Sequence, residues 1–161
     1  MAMKAEYINP FIVAAQNVIK TACNEELVIG KLSIKSNPIM TSDVVTLIGV
    51  TGKIEGQVIF SLEDSVARSI ASRMMMGAEV PVLNELAKSA ICELTNMILG
   101  NAATGFYDQG TIIDITPPSL LIGKDMSVST MKGDFVSIPL QFTSTGETFE
   151  VDIFLVDGDE K

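Results

Sequence analysis

Apolar and polar positions along the chain switch between a helical and a strand period, and the switches predict its elements. Over residues 7–22, Phe11, Ala14, Ala15, Val18 and Ile19 recur three and four positions apart, which predicts a helix with one buried stripe. Pro10 stands early in that helix, where a missing N–H is tolerated. Asn9, just before it, reads as the N-cap. Strand-like runs follow at Leu27–Ile34, Val44–Val50 and Ile54–Ser61, and Thr51-Gly52-Lys53 joins the last two as a hairpin. A second helix is predicted from Ser61, read as its N-cap with Asp64 answering it, to about Met76. It buries Val66, Ile70 and Met74 and stops at Gly77. Beyond Pro81 a third helix covers Val82–Phe106, ~25 residues and about 37 Å. Strand character returns at Ile112–Ile115, breaks at Pro117-Pro118, and resumes at Phe135–Phe142 and Phe149–Val156. Turns are predicted at Lys132-Gly133-Asp134 and at Ser144-Thr145-Gly146-Glu147.

Strands in consecutive runs with hairpin-type turns favour an antiparallel sheet with long helices packed on it, an α/β (α+β) fold. The length fits one domain over residues 1–161. Each half reads as a helix followed by about three strands, with an extra helix between the halves. That order suggests an internal duplication, although no residue repeat accompanies it.

Charge narrows the function. The net charge is −9, which repels a phosphate backbone or an anionic membrane, so neither nucleic acid nor membrane is expected as a partner. No apolar run approaches the ~20 residues of a membrane span, and the start lacks a signal-peptide core, which predicts a cytoplasmic protein. Cys23 and Cys92 fit no metal spacing and are expected to be buried, reduced thiols. The chain has no histidine. That removes Ser-His-Asp and Cys-His catalysis and histidine-based zinc sites, and it leaves no side chain expected to titrate between about pH 6 and 8. No metal site of its own is predicted. Any chemistry must come from carboxylates, amides, hydroxyls, lysines or a partner.

The long helix holds the candidate chemistry. Leu86, Ala90, Leu94, Met97, Ile98 and Ala102 are expected on its apolar side. Glu85, Ser89, Glu93, Asn96 and Gly100 fall in a narrow polar stripe on the other side, at spacings of four, four, three and four. A partner would meet a carboxylate and an amide side by side, with Gly100 one turn on allowing close backbone approach. Taken alone, such a stripe is most often a solvated face. Glu-x-x-Asn is a weak motif, since Glu6-Tyr7-Ile8-Asn9 also satisfies it.

The larger string is more specific. Ser89-x-x-x-Glu93-x-x-Asn96, with Pro118 about twenty residues on, resembles the signature of the CheC/CheX/FliY phosphatase family, and of its CheX branch in particular. Leu47-Ile48-Gly49-Val50-Thr51-Gly52-Lys53-Ile54-Glu55-Gly56 resembles that family's first hairpin. Glu85-Leu86-Ala87-Lys88-Ser89-Ala90-Ile91, Glu93-Leu94-Thr95-Asn96-Met97 and Asp114-Ile115-Thr116-Pro117-Pro118 resemble the long helix and the segment after it. The likeness spans roughly residues 7–156.

It implies a phosphatase acting on the aspartyl phosphate of a CheY-type receiver domain. Asn96 would hold the attacking water and Glu93 would pair with the receiver's lysine. Ser89 would support the contact face and Pro118 would shape the neighbouring loop. It also implies a homodimer joined through its sheets, no cofactor of its own, and Mg²⁺ carried by the receiver. Because the family is related to flagellar switch proteins, the alternative is a non-catalytic adaptor. CheC-type relatives carry the signature twice. The echo at Glu6 and Asn9 is expected to be inert, with Asn9 spent on capping and Glu6 outside the helix.

Overall fold

The computed structural model describes residues 5–130 and 133–158; Lys132 of the predicted turn lies outside them. The first half comprises α1 (Ala5–Cys23), β1 (Leu27–Ile29), β2 (Ser33–Lys35), β3 (Ile39–Met40), β4 (Val44–Gly52) and β5 (Ile54–Leu62). After α2 (Asp64–Met74) come α3 (Glu85–Asp108), β6 (Ile113–Ile115), β7 (Ser119–Ile122), β8 (Ser127–Val128), β9 (Phe135–Phe142) and β10 (Thr148–Asp157). The large sheet runs β1-β9-β10-β5-β4-β6, with β2 also on β9, β7 also on β4, and every pairing antiparallel.

The suspected duplication is present in this topology. Exchanging each strand of the first half for its counterpart five strands later leaves every pairing in place. β1 and β2 flank β9 as β6 and β7 flank β4, while β5 meets β10 and β3 meets β8 across the pseudo-twofold. The halves therefore contain a helix and five strands, not three. Short pieces such as Ile39–Met40 carry too few residues for a period to register.

Two edge strands are each broken by a one-residue bulge. Val50 pairs with Ile115 and Leu47 with Ser119, so Ile48 faces both Pro117 and Pro118. Proline cannot donate to the ladder, and an edge strand tolerates the interruption. The predicted single strand Leu27–Ile34 is interrupted in the same way, between the Ile29–Leu140 and Ser33–Ser137 pairs.

The helices cover one face of the sheet. Ala14, Ile19, Ile91, Ile98 and Ala102 pack there on Val44, Ile48, Val58, Phe60 and Ile153. Phe11 of α1 meets Phe106 of α3 edge-on at 5.5 Å, and Pro10 stacks over Gly105. On the opposite face the β3–β8 pair and the segments around it cover Val45, Ile59, Phe135 and Phe154. Asp152 of β10 alternates onto that face with Phe154 and is fully buried. Among the described residues neither of its carboxylate oxygens accepts a hydrogen bond of ordinary geometry. Its polar neighbours are Ser137, Glu150 and Lys35, and Lys35 forms a 2.6 Å ion pair with Glu150.

Three helix starts differ from expectation. Ser61 does not cap α2. It remains in β5, where its hydroxyl accepts from the Ser42 N–H at 2.7 Å, and Glu63 holds the N-cap position without a side-chain cap bond. α3 begins two to three residues later than the apolar pattern suggested. Asn84 accepts from the Ala87 N–H at 2.9 Å and fixes the start, leaving Val82 and Leu83 outside. Asn9 is no cap either. α1 is already helical from Ala5, so Pro10 lies inside the helix and Glu6 and Asn9 both belong to it.

Candidate functional site

α3 is a 24-residue helix whose buried side is Ala87, Ile91, Leu94, Thr95, Ile98, Leu99, Ala102 and Phe106. That side is turned from the expected one: Ala90 and Met97 are half-buried, and Leu86 is 65% exposed. The rotation arises because α3 packs on α1, α2 and the β6–β7 edge together, so several flanks bury side chains. The polar stripe is on the surface as expected. Glu85, Ser89, Glu93 and Asn96 are exposed and Gly100 is half-buried. Glu85 forms a 3.0 Å ion pair with Lys88 along the helix. A Cβ built on Gly100 would meet no atom within 4 Å, so nothing within the described chain requires glycine there.

Tertiary structure adds the second wall. Ser89, Cys92, Glu93 and Asn96 share a shallow cleft of about 450 Å³ with Ile115, Thr116, Pro117 and Pro118. The bulge that carries the two prolines is pinned by Thr116. Its N–H donates to the Gly49 carbonyl at 2.9 Å, and its hydroxyl accepts from the Gly49 N–H at 2.8 Å. An added Cβ on Gly49 would come within 3.1 Å of Thr116 Cγ2, so the small residue permits the clamp. Thr116 is the positioning residue that sequence reasoning passed over. The signal was present in Gly49 and Thr116, but only strand register brings them together.

Cys92 is half-buried in the cleft wall and Cys23 is buried in the core; both are free thiols. Burial pushes the Cys23 thiol up to about 11 and raises that of Cys92 as well. Both are thereby disfavoured as nucleophiles.

The N-terminal echo is arranged differently. Glu6 lines a cleft of about 640 Å³ with Tyr7, Lys53 and Asp157, in which the Tyr7 hydroxyl donates to Asp157 Oδ1. Asn9 lines another, of about 310 Å³, with Ile8, Leu32, Ile34 and Val136. Leu32 stands in the bulge that matches Pro118 across the pseudo-twofold. The carboxylate and the amide thus open onto separate clefts, and the amide's is largely apolar. Both residues lie inside α1 at a spacing of three, so the capping from which inertness was expected is absent, and the difference from α3 is the largely apolar lining beside Asn9. Asn9→Ala should leave phosphatase activity per folded molecule unchanged. Its stability should rise slightly, by about 0.5 kcal/mol, since asparagine is a poor helix former at an exposed position. Loss of activity in a folded Asn9→Ala protein would show a second working site.

The Glu6 cleft is the roomier, yet the cleft of about 450 Å³ on α3 holds the Glu93 carboxylate and the Asn96 amide together. The family profile described as "Chemotaxis phosphatase CheX" matches residues 44–141, which include all of α3 and the bulge. The chain belongs to the CheX family. It is 35% identical over 156 residues to the CheY-P phosphatase CheX of Thermotoga maritima, covering 97% of this chain and 99% of that protein. The crystal structure of CheX from Desulfovibrio desulfuricans superposes with a TM-score of 0.83 at 25% identity, over 94% of this chain and 99% of that one. CheX from Borrelia burgdorferi, solved as a CheX–CheY–BeF3–Mg²⁺ complex, superposes with a TM-score of 0.78 at 27% identity, over 94% and 98% of the two chains.

Proposed function

We propose that this CheX-family chain is a phosphatase that hydrolyses the aspartyl phosphate of a CheY-type receiver domain. The observation that carries the reading is the exposed Glu93–Asn96 pair. It sits on one helix face and in one cleft, in a chain 35% identical to a CheY-P phosphatase. An aspartyl phosphate is an acyl phosphate and hydrolyses on its own. What accelerates it is a water held in line with the scissile bond, because positioning carries most of the rate in phosphoryl transfer. The Asn96 amide accepts from and donates to such a water without adding charge beside an anionic group. Glu93, one turn earlier, pairs with the receiver's active-site lysine. Ser89 and Gly100 shape the contact face, and Pro118 walls the cleft. Mg²⁺ belongs to the receiver, and this chain acts as one domain without a cofactor of its own.

The same reading makes the protein a cytoplasmic homodimer joined edge to edge through its sheets. In support, the described sheet ends in β1/β2 on one side and β6/β7 on the other. These edges expose Val28 and Ile34, and Leu121 and Ile122, respectively. Among the described residues no helix is long and apolar enough to cross a membrane.

The test is phosphate loss from phosphorylated receivers of the same host, with and without the protein. Acceleration over the receiver's own rate is expected. Binding of a beryllofluoride-activated receiver without any acceleration would make the chain an adaptor. Glu93→Ala should weaken that binding by about tenfold, because it removes a charge-assisted hydrogen bond. Unchanged affinity would remove Glu93 from the contact.

A further inference from the structure

A helix packed on a sheet ordinarily turns its leucines inward, yet Leu86 is 65% exposed. It precedes Glu93 by seven residues, so it lies within about 20° of Glu93 around the helix and about 10 Å from it along the axis. Its surroundings are fixed by specific contacts. Val80 is buried against Ala71 and Ala87, Arg68 donates to the Val80 carbonyl at 3.5 Å, and Asn84 caps the helix. Leu83 packs against this small cluster, while Val82 is 64% exposed. At this one end of α3, Val80 and Leu83 therefore turn in while Val82 and Leu86 turn out.

Resting on the functional reading above, we propose that Leu86, with Val82 exposed just before the same end of α3, is the apolar anchor through which α3 docks the receiver domain. Reach supports this. A standard interface covers about 800 Å² per partner, a disc of roughly 16 Å radius. Leu86 is about 10 Å from Glu93 along the helix and about 20° from it around the axis, so it falls inside a footprint centred on that carboxylate and at the rim of one centred on Asn96, about 15 Å and 80° away. Electrostatics supports it too. The chain carries a net charge of −9 and the group it acts on is anionic, so charge at the site itself does not draw the two together. The Asn96 contact is a polar exchange with water that selects geometry, and Glu93 supplies one charge-assisted hydrogen bond, about tenfold in affinity. Burial of a leucine adds a contribution of similar size, about tenfold or more.

The experiment measures phosphate release against receiver concentration for the wild type and for Leu86→Ser, Met40→Ser and Asn96→Ala. Met40 is a control of similar exposure, 62%, on β3 across the sheet. Leu86→Ser should raise KM by about tenfold and leave kcat within about twofold. Met40→Ser should change neither, and Asn96→Ala should lower kcat with KM nearly constant. A wild-type KM in Leu86→Ser overturns the anchor, as does a KM effect of equal size in Met40→Ser. A changed oligomeric state of free Leu86→Ser with KM unaltered would assign the patch to a second copy instead, and also overturns it. If the wild type accelerates no receiver, the phosphatase reading fails by itself. Docking is then read from binding to a receiver–beryllofluoride–Mg²⁺ complex, where equal affinities of wild type and Leu86→Ser overturn the anchor.

Discussion

Asn96→Ala should lower kcat for dephosphorylation of the receiver by about 100-fold or more, with receiver binding largely intact. The side chain is exposed at the middle of α3, so its removal leaves no cavity and exposes no core. What is lost is the group that fixes the water. The receiver's lysine and Mg²⁺ can still neutralise the phosphoryl oxygens, but the nucleophile must then be captured from bulk solvent in the right orientation. The Thr116–Pro118 wall remains in Asn96→Ala, so a shaped cleft without the amide is tested directly. Single-turnover phosphate release at saturating enzyme reads the chemical step separately from association. Wild-type turnover in a folded Asn96→Ala protein would discard the water-positioning mechanism.

Asp152→Asn should stabilise the protein by about 1–3 kcal/mol at pH 8, with the gain vanishing near pH 4. Burial pushes the Asp152 carboxyl from its ordinary 3.8 up to about 6; the nearby Glu150 carboxylate adds to the rise, while Ser137 and Lys35 oppose it. A carboxyl with a raised folded pKa binds its proton more tightly in the native state. Its contribution to stability therefore falls as pH rises from about 4 to 6, and above that window the native state carries the full cost of the buried charge. This also corrects the expectation that no side chain would titrate near neutrality, for burial moves one aspartate to the edge of that range. Asparagine keeps the shape and stays neutral. Urea unfolding of wild type and Asp152→Asn across pH 4–8 isolates this group, because the other carboxylates are common to both. A stability difference that is the same at every pH would show that Asp152 keeps its ordinary pKa.

How much was legible in the sequence depended on whether the deciding interaction was local. The helical periods of α1 and α3 and the hairpin at Thr51-Gly52-Lys53 are written in short-range patterns, and the structure follows them. So is the pairing of Glu93 with Asn96 on one exposed face, since a spacing of three in a helix fixes it. Ser61 and Asn9 were misread as caps for the opposite reason. Both are good capping residues, but ladder pairing held Ser61 in β5, and a helix already begun at Ala5 enclosed Asn9. Leu86 was placed on the apolar side by residue type, although its spacing of seven from Glu93 sets it within about 20° of that exposed stripe, where it is found.

By itself the sequence determined the fold class, the polar face of α3 and, through the absence of histidine, a chemistry left to carboxylates, amides, hydroxyls, lysines or a partner. Each of these follows from residue types at fixed local spacing. Only the tertiary structure decided the rest. It closed the cleft by setting the Pro117-Pro118 bulge against Ser89, Glu93 and Asn96, through a Thr116–Gly49 clamp whose partners lie far apart in the chain. It enclosed Asn9 in α1 beside an apolar cleft and buried Asp152 on the covered face of the sheet. The physical reason is common to all three: strand register and layer packing bring together residues from opposite halves of the molecule, and neither is set by short-range periodicity.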